Sequence, residues 1–225
     1  GTLYKQVSPC EARKLGATLV ARNVADHVTQ HFHSYPKHWR PLVYCWRGGM
    51  RSSSVVQWLR LVGWDAQQLA GGYKAWRRHA ITLLETICPQ LPLRVLCGPT
   101  GSAKTRILHA LARQGAQVID LEGCARHRGS VLGTLPGVAQ PSQTAFETLL
   151  AQQVEGLDTS RPVYVEAESK KVGNCTLPEA LIDAMRASDC LRVDLSDDER
   201  VALLLEDYPF FVSDPAFFCQ RLDTL

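Results

Sequence analysis

Apolar and polar positions along this 225-residue chain follow two rhythms, and the change comes near residue 90. Beyond that point the pattern recurs as strand, loop, helix. Leu93 to Leu96 predicts a buried strand, a loop of Gly, Ser and Thr follows, and Ile107, Leu108 and Leu111 fall at helical spacing with Gly115 as the stop. Gln117 to Leu121 predicts the next strand. From Gly123 to Pro141 runs a long connection, a kind of segment that often carries function in compact domains, and a helix bearing Phe146, Leu149, Leu150 and Val154 comes after it. Val163 to Glu166 and Leu191 to Leu195 predict further strands, alternating with helices opened by TLPE and SDDE, each a Ser/Thr-x-x-Glu capping box. That order is parallel α/β architecture.

The first 90 residues follow a looser pattern. Leu42 to Tyr44 predicts a short buried strand, and Val55, Trp58, Leu59 and Val62 mark one face of a helix ended by Gly63. Ala66 to Leu69 predicts another strand, and GGYKAWRRHA opens another helix. ETICPQLP, with two prolines, marks the boundary between domains at 1–88 and 89–225. No repeat or low-complexity tract stands out.

Composition adds bounds. With 45% apolar residues the chain can fill one large or two small cores, and it reads as soluble and globular. No apolar run approaches the roughly 18 residues of a membrane span, and the N-terminus lacks the order of a signal peptide. Those absences favour the cytoplasm and no membrane. The eight cysteines are scattered without C-x-x-C spacing and read as mostly buried thiols. A net charge of +3 conceals an asymmetry: residues 1–90 carry 12 Lys and Arg against 4 Asp and Glu, residues 91–225 carry 13 against 18. The basic part suits a polyanion or a solvated surface equally.

Within that basic part, VYCWRGGMRSSSVVQWL sets Cys45 at the end of a strand and ahead of a helix. A loop of this kind points several amides at one spot, and the helix dipole adds positive charge there. Such settings lower a cysteine pKa from about 8.5 to somewhere within roughly 3.5 to 7.5. Gly48 and Gly49 let the backbone curl around the sulfur, and Arg47 and Arg51 supply charge and donors for an anion. Cysteine, five residues, then arginine is the spacing of cysteine phosphatases, while the same architecture in rhodaneses carries a persulfide. LAGGYKAW resembles the segment closing a rhodanese domain, which favours sulfur or selenium chemistry. Among the tryptophans, read as core by default, Trp46 is a candidate base-stacking platform.

GPTGSAKT, 98–105, follows a strand and opens a helix, as a P-loop does. Gly98, Gly101 and Ser102 shape a phosphate cradle, Lys104 reaches terminal phosphates, and Thr105 offers a hydroxyl to Mg²⁺. Ala103 stands where G-x-x-x-x-G-K-[ST] has its last glycine; if that position needs positive φ, the β-carbon costs about 1–2 kcal/mol. Asp120, Glu122, Glu166 and Glu168, at strand ends, are candidates for metal coordination or water positioning at the carboxyl edge of a parallel sheet. Each suits capping a helix or pairing with arginine equally well. Arg126 and Arg128 are candidate phosphate contacts, or members of a solvated loop.

Taken in order, GTLYKQ, CWRGGMRS, AGGYKAW, the P-loop, DLEGCARHRGS and VEAESKKVG span nearly the whole chain, and together they resemble the tRNA 2-selenouridine synthase family. The resemblance implies an α/β protein with a partial rhodanese-like domain followed by a P-loop NTPase-like parallel α/β domain. It implies a transferase that replaces the sulfur of wobble 2-thiouridine in tRNA by selenium from selenophosphate, with associated geranyl transfer from geranyl diphosphate. Cys45 would be the catalytic cysteine, and Gly98, Gly101, Lys104 and Thr105 would hold the diphosphate. No tightly bound cofactor is implied, Mg²⁺ stays open, and a selenophosphate-supplying enzyme is the implied partner. Members of the family begin with a strand and helix bearing Asp-Val-Arg and continue past position 225, so the chain reads as a fragment lacking both ends. Two other readings stand beside this one: a cysteine phosphatase or sulfurtransferase fused to a nucleotide-binding domain, and an inactive tRNA-binding fragment.

Overall fold

Two helices that the apolar pattern did not reveal open the chain, α1 (Thr2–Gln6) and α2 (Pro9–His27). Ser8 caps α2 by accepting the amides of Cys10 and Glu11, and Pro9 sits in the first turn, where its missing amide is no loss. In this computed structural model, which describes residues 2–223, the chain forms two units that divide between Trp76 and Arg77. The ends at Gly1 and Leu225, which the fragment expectation concerns, lie outside the described residues.

A turn of π-helix, Val28–Phe32, leads to β1 (Leu42–Val43), α3 (Met50–Val62), β2 (Gln67–Gln68) and the start of α4 (Gly72–Ile87). The strands β1 and β2 pair in parallel, Leu42 opposite Gln67 and Val43 opposite Gln68. Both are shorter than the sequence suggests, and the expected burial of Leu42 to Tyr44 fails: Leu42 and Tyr44 are each 60% exposed. The buried line of α3 is Ser52, Val56 and Leu59, while Trp58 and Val62 are exposed, so the helix is turned from the face its apolar residues predicted. Gly63 ends it at φ 103, as expected of a left-handed helix stop. Val56, Leu59, Trp64 and Ala66 form the core of this unit, with Trp39 edge-on to Trp64 at 5.1 Å. Core placement holds for Trp64; Trp39 and Trp76 are half-buried, and Trp46 and Trp58 are exposed. All five tryptophans precede residue 77.

The second unit is the parallel α/β body. Its elements are β3 (Leu93–Cys97), α5 (Lys104–Arg113), β4 (Gln117–Ile119), α6 (Leu121–Ala125), α7 (Gln143–Glu155), β5 (Val163–Glu166), β6 (Lys171–Val172), β7 (Cys175–Thr176), α8 (Glu179–Arg186), β8 (Asp189–Arg192), α9 (Asp197–Asp207), α10 (Pro209–Ser213) and α11 (Pro215–Leu222). Four strands pair in parallel in the order β4-β5-β3-β8, with Val165 opposite both Val95 and Ile119. Leu93, Val95, Ile119, Val163 and Val165 are buried against Phe146, Leu150 and Val154 of α7, each such side chain contributing about 1.5–3 kcal/mol. With β3 in the middle of the sheet, the loop after it opens at the carboxyl edge.

Several local expectations change. The strand after β3 stops at Ile119 because Asp120 caps α6, and α6 occupies the start of the long connection. TLPE forms no capping box: Thr176 is engaged in the antiparallel β6–β7 hairpin and bonded to Gln143, so α8 starts after Pro178 without a side-chain cap. SDDE does form its box, Ser196 with Glu199. The last strand sits earlier than expected, at Asp189–Arg192. Cys97 and Cys190, on adjacent strands but 93 residues apart in sequence, are joined as a disulfide, and the buried free thiols are Cys88, Cys124 and Cys175. No helix among the described residues is long and apolar enough to cross a membrane.

Candidate functional site

In the first unit, β1 leads the chain to Cys45, and the loop after it closes onto the N-terminus of α3. The sulfur receives the Ser52 hydroxyl at 3.2 Å and faces the backbone amides of Ser52, Arg47 and Gly49. The Ser52 hydroxyl is the strongest of these influences, and together they lower the thiol from 9.0 to about 6. Gly48 has φ +65, and a β-carbon there would meet backbone atoms of Leu69, Gly71 and Gly72 at 2.8 Å. Gly49 has open space around it and serves as the residue before α3, so only Gly48 is sterically required. Arg47 and Arg51 are exposed beside the loop.

AGGYKAW acts on this loop through its backbone. The first amides of α4, from Tyr73 and Lys74, donate to the carbonyls of Cys45 and Trp46 at 2.9 and 3.0 Å. A β-carbon on Gly72 would collide with the Cys45 carbonyl. Trp46 is 53% exposed, its ring 5.5 Å from that of Tyr73. Gln68, which no pattern singled out, donates to the Gly48 carbonyl at 2.5 Å and to the Ser52 hydroxyl at 2.9 Å.

In the second unit the P-loop bridges β3 and α5. Gly101 has φ +79, and a β-carbon on Gly98 would meet the Val193 carbonyl and the Ser102 hydroxyl. Ala103 does adopt the left-handed region, φ 67 and ψ 15, so its β-carbon carries the cost of about 1–2 kcal/mol. Ser102 is buried, and Lys104 donates to the carbonyls of Gly98 and Pro99 at 2.8 and 3.1 Å. An anion in the loop would compete for that ammonium.

The acidic residues separate by environment. Asp120 accepts the Gly123 amide at 2.7 Å and meets His109 Nε2 at 2.9 Å, so it acts as a helix cap and histidine partner. Glu122 accepts the Thr105 hydroxyl at 2.9 Å, and burial raises its pKa. Glu166 is fully buried, accepts the Glu122 amide at 2.9 Å, and is pushed by burial to about 8. Glu168 rises to about 7, through burial and then the neighbouring Glu122. Among the described residues no three of His, Cys, Asp and Glu converge to hold a metal ion.

Asp120, Glu122 and Glu168 border a cavity of about 620 Å³ floored by the P-loop, with His109, Arg126 and Arg128 also on its walls, whereas Glu166 does not line it. Arg126 is exposed, whereas Arg128 lies 3.6 Å from Asp207 and over the Tyr208 ring at 5.1 Å. Gly129, at φ +59, brings the backbone so close to Glu122 and Glu168 that a β-carbon would strike both carboxyls. Thr100, Ser130, Leu204 and Tyr208 also line a second cavity of about 510 Å³. Its other walls are apolar: Val131 and Leu132 on one side, Val201, Leu205, Phe211 and Val212 on the other. No local pattern announces this groove, because three short helices and a loop build it.

The family model described as the tRNA 2-selenouridine synthase AAA domain matches residues 91–220. A tRNA 2-selenouridine synthase of Alcanivorax borkumensis is 41% identical over 214 residues, covering 92% of this chain and 57% of the relative. One of Nitrosomonas europaea is 39% identical, covering 99% and 58%, and one of Aeromonas salmonicida 38%, covering 92% and 56%. The chain therefore spans a little over half the length of these curated relatives. No solved structure matches it.

Proposed function

The chain belongs to the family defined by the tRNA 2-selenouridine synthase AAA domain, and from that premise we propose that it is the part of a tRNA-modifying transferase that binds a prenyl diphosphate and carries the reactive thiol. The observation that carries this is the meeting of two cavities: a phosphate cradle and an apolar groove share Leu204 and Tyr208 as walls. A nucleotide would lay a polar base and ribose along such a groove at a desolvation cost; an isoprenoid chain gains by burial there, at about 0.8 kcal/mol per CH₂. Geranyl diphosphate fits both halves. Its diphosphate rests on the amides of 98–105 and on Lys104, and its chain lies between Leu132 and Phe211.

In this reading the sulfur of wobble 2-thiouridine attacks carbon 1 of the geranyl group, diphosphate leaves, and the N3 proton is lost. Selenophosphate selenium then attacks carbon 2 of the base, the geranyl thiolate leaves and takes up a proton, and water cleaves the remaining P–Se bond to release phosphate, steps assigned to the rhodanese-like Cys45 loop with Arg47 and Arg51. A selenophosphate-supplying enzyme is the partner this requires. Thr105 and Glu122 are hard oxygen donors that fit Mg²⁺, which would neutralise the leaving diphosphate when bound. Trp46 and Arg126, both exposed, are the residues proposed to meet tRNA.

The test incubates thiolated tRNA with geranyl diphosphate and selenophosphate and identifies nucleosides by mass. Cys45→Ala should abolish selenation and spare geranylation, and Lys104→Ala should abolish geranylation. Loss of both products in Cys45→Ala would overturn the division of labour. Cys45-dependent hydrolysis of an aryl phosphate, with no change in the tRNA, would favour the phosphatase reading instead.

A further inference from the structure

We propose that Gln68 is a positioning residue for Cys45, controlling two of the donors that face the sulfur. The inference rests on the reading of Cys45 as a reactive thiolate. Gln68 lies on β2 opposite Val43, two positions before the cysteine, so the short parallel pair fixes its reach. Its amide nitrogen donates to the Gly48 carbonyl at 2.5 Å and the Ser52 hydroxyl at 2.9 Å, with the Gly49 carbonyl at 3.3 Å.

The first contact acts through the peptide plane. Among the described residues no peptide bond is cis, and in a trans peptide the carbonyl and the following N–H point to opposite sides. Holding the Gly48 carbonyl on Gln68 therefore turns the Gly49 N–H the other way, which is the direction in which it meets Cys45. Without that anchor the peptide is free to rotate, helped by the glycine on each side.

The second contact acts through one proton. The Ser52 hydroxyl lies 3.2 Å from the sulfur and 3.1 Å from the Gly49 carbonyl, and it has a single hydrogen for both. Beside a neutral thiol it accepts S–H and donates to the carbonyl. Beside a thiolate, the stronger acceptor, it donates to sulfur. Gln68 occupies another acceptor position on the same oxygen in either arrangement, so the change needs a hydrogen to swing and no heavy atom to move. Serine and glutamine together keep the loop ready for both states of the sulfur.

The measurement is the pH dependence of Cys45 alkylation by iodoacetamide in the intact chain, read by mass on the peptide that carries it. The parent should show a midpoint near 6. Gln68→Leu, which keeps the bulk and removes both donors, should raise the midpoint by about one unit and slow alkylation about tenfold at pH below it. Ser52→Ala should shift it in the same direction, and the double variant should shift less than the two singles combined, since they share one path. Gln68→Met serves in the same experiment if the leucine variant lacks a cooperative thermal transition. A low parent midpoint that neither Gln68 variant moves, while Ser52→Ala does, would overturn the role of Gln68 alone. A parent midpoint at the ordinary thiol value would overturn the thiolate reading beneath it.

Discussion

Glu166 shows how one side chain ties the sheet to the cleft. It ends β5, is fully buried, and supplies the acceptor for the Glu122 amide. Burial holds its carboxyl at about 8 and that of Glu168 at about 7, against an ordinary 4.5. Both pKa values are raised in the folded state. Folding therefore retains protons here that the unfolded chain releases, and the contribution of these two groups to stability is greatest below pH 4.5 and falls as pH climbs toward 8. Glu166→Gln keeps an oxygen for the Glu122 amide and removes the titration. Urea midpoints should rise at pH 8 and fall less steeply between 4.5 and 8, with Glu168 still titrating; equal loss at both pH values would show that the Glu166 carboxyl is not held neutral. At this scale the sequence was informative where chemistry is local. The P-loop and Cys45 could be found because their partners lie within a few residues. Gln68 could not, because it lies 16 positions from Ser52 and 20 from Gly48, and a glutamine in a short strand carries no signature.

Among the elements, α9 contributes most to the proposed ligand site for its size. Leu204 faces both cavities, Val201 and Leu205 line the groove, and Tyr208 follows directly at the end of the helix. The helix is started by the reciprocal Ser196–Glu199 box and tied to the P-loop by Arg200, which donates to the Thr100 carbonyl at 3.2 Å. Ser196→Ala should cost about 1 kcal/mol of stability. In calorimetry it should weaken geranyl diphosphate and leave inorganic diphosphate unchanged, since only the former needs the groove. An equal effect on both ligands would place the chain elsewhere. The two Ser/Thr-x-x-Glu signals explain why element boundaries were only partly legible. Ser196 was free to cap, whereas Thr176 was already committed to a hairpin that no local pattern announced.

At the scale of the molecule the parallel sheet of the second unit was readable mainly from the apolar runs of its central strands β3 and β5, which are largely buried, whereas the edge strand β8 is exposed throughout and was expected too late in the chain. The first unit was not, because α2 buries little: Val24 is its buried residue. Its two strands are only two residues long, too short for period to show. The division into units is mirrored in the distribution of tryptophan. Because every tryptophan precedes residue 77 whereas Tyr164 and Tyr208 follow it, emission excited beyond the tyrosine absorption band reports the part that holds Cys45, while circular dichroism records both parts. Heating the chain with geranyl diphosphate should raise the dichroism midpoint and leave the emission midpoint in place, since the ligand stabilises what it binds. A common rise would mean that the two hydrophobic clusters melt as one. The chain thus carries its own intrinsic label, and a ligand on either half can be assigned without attaching a dye.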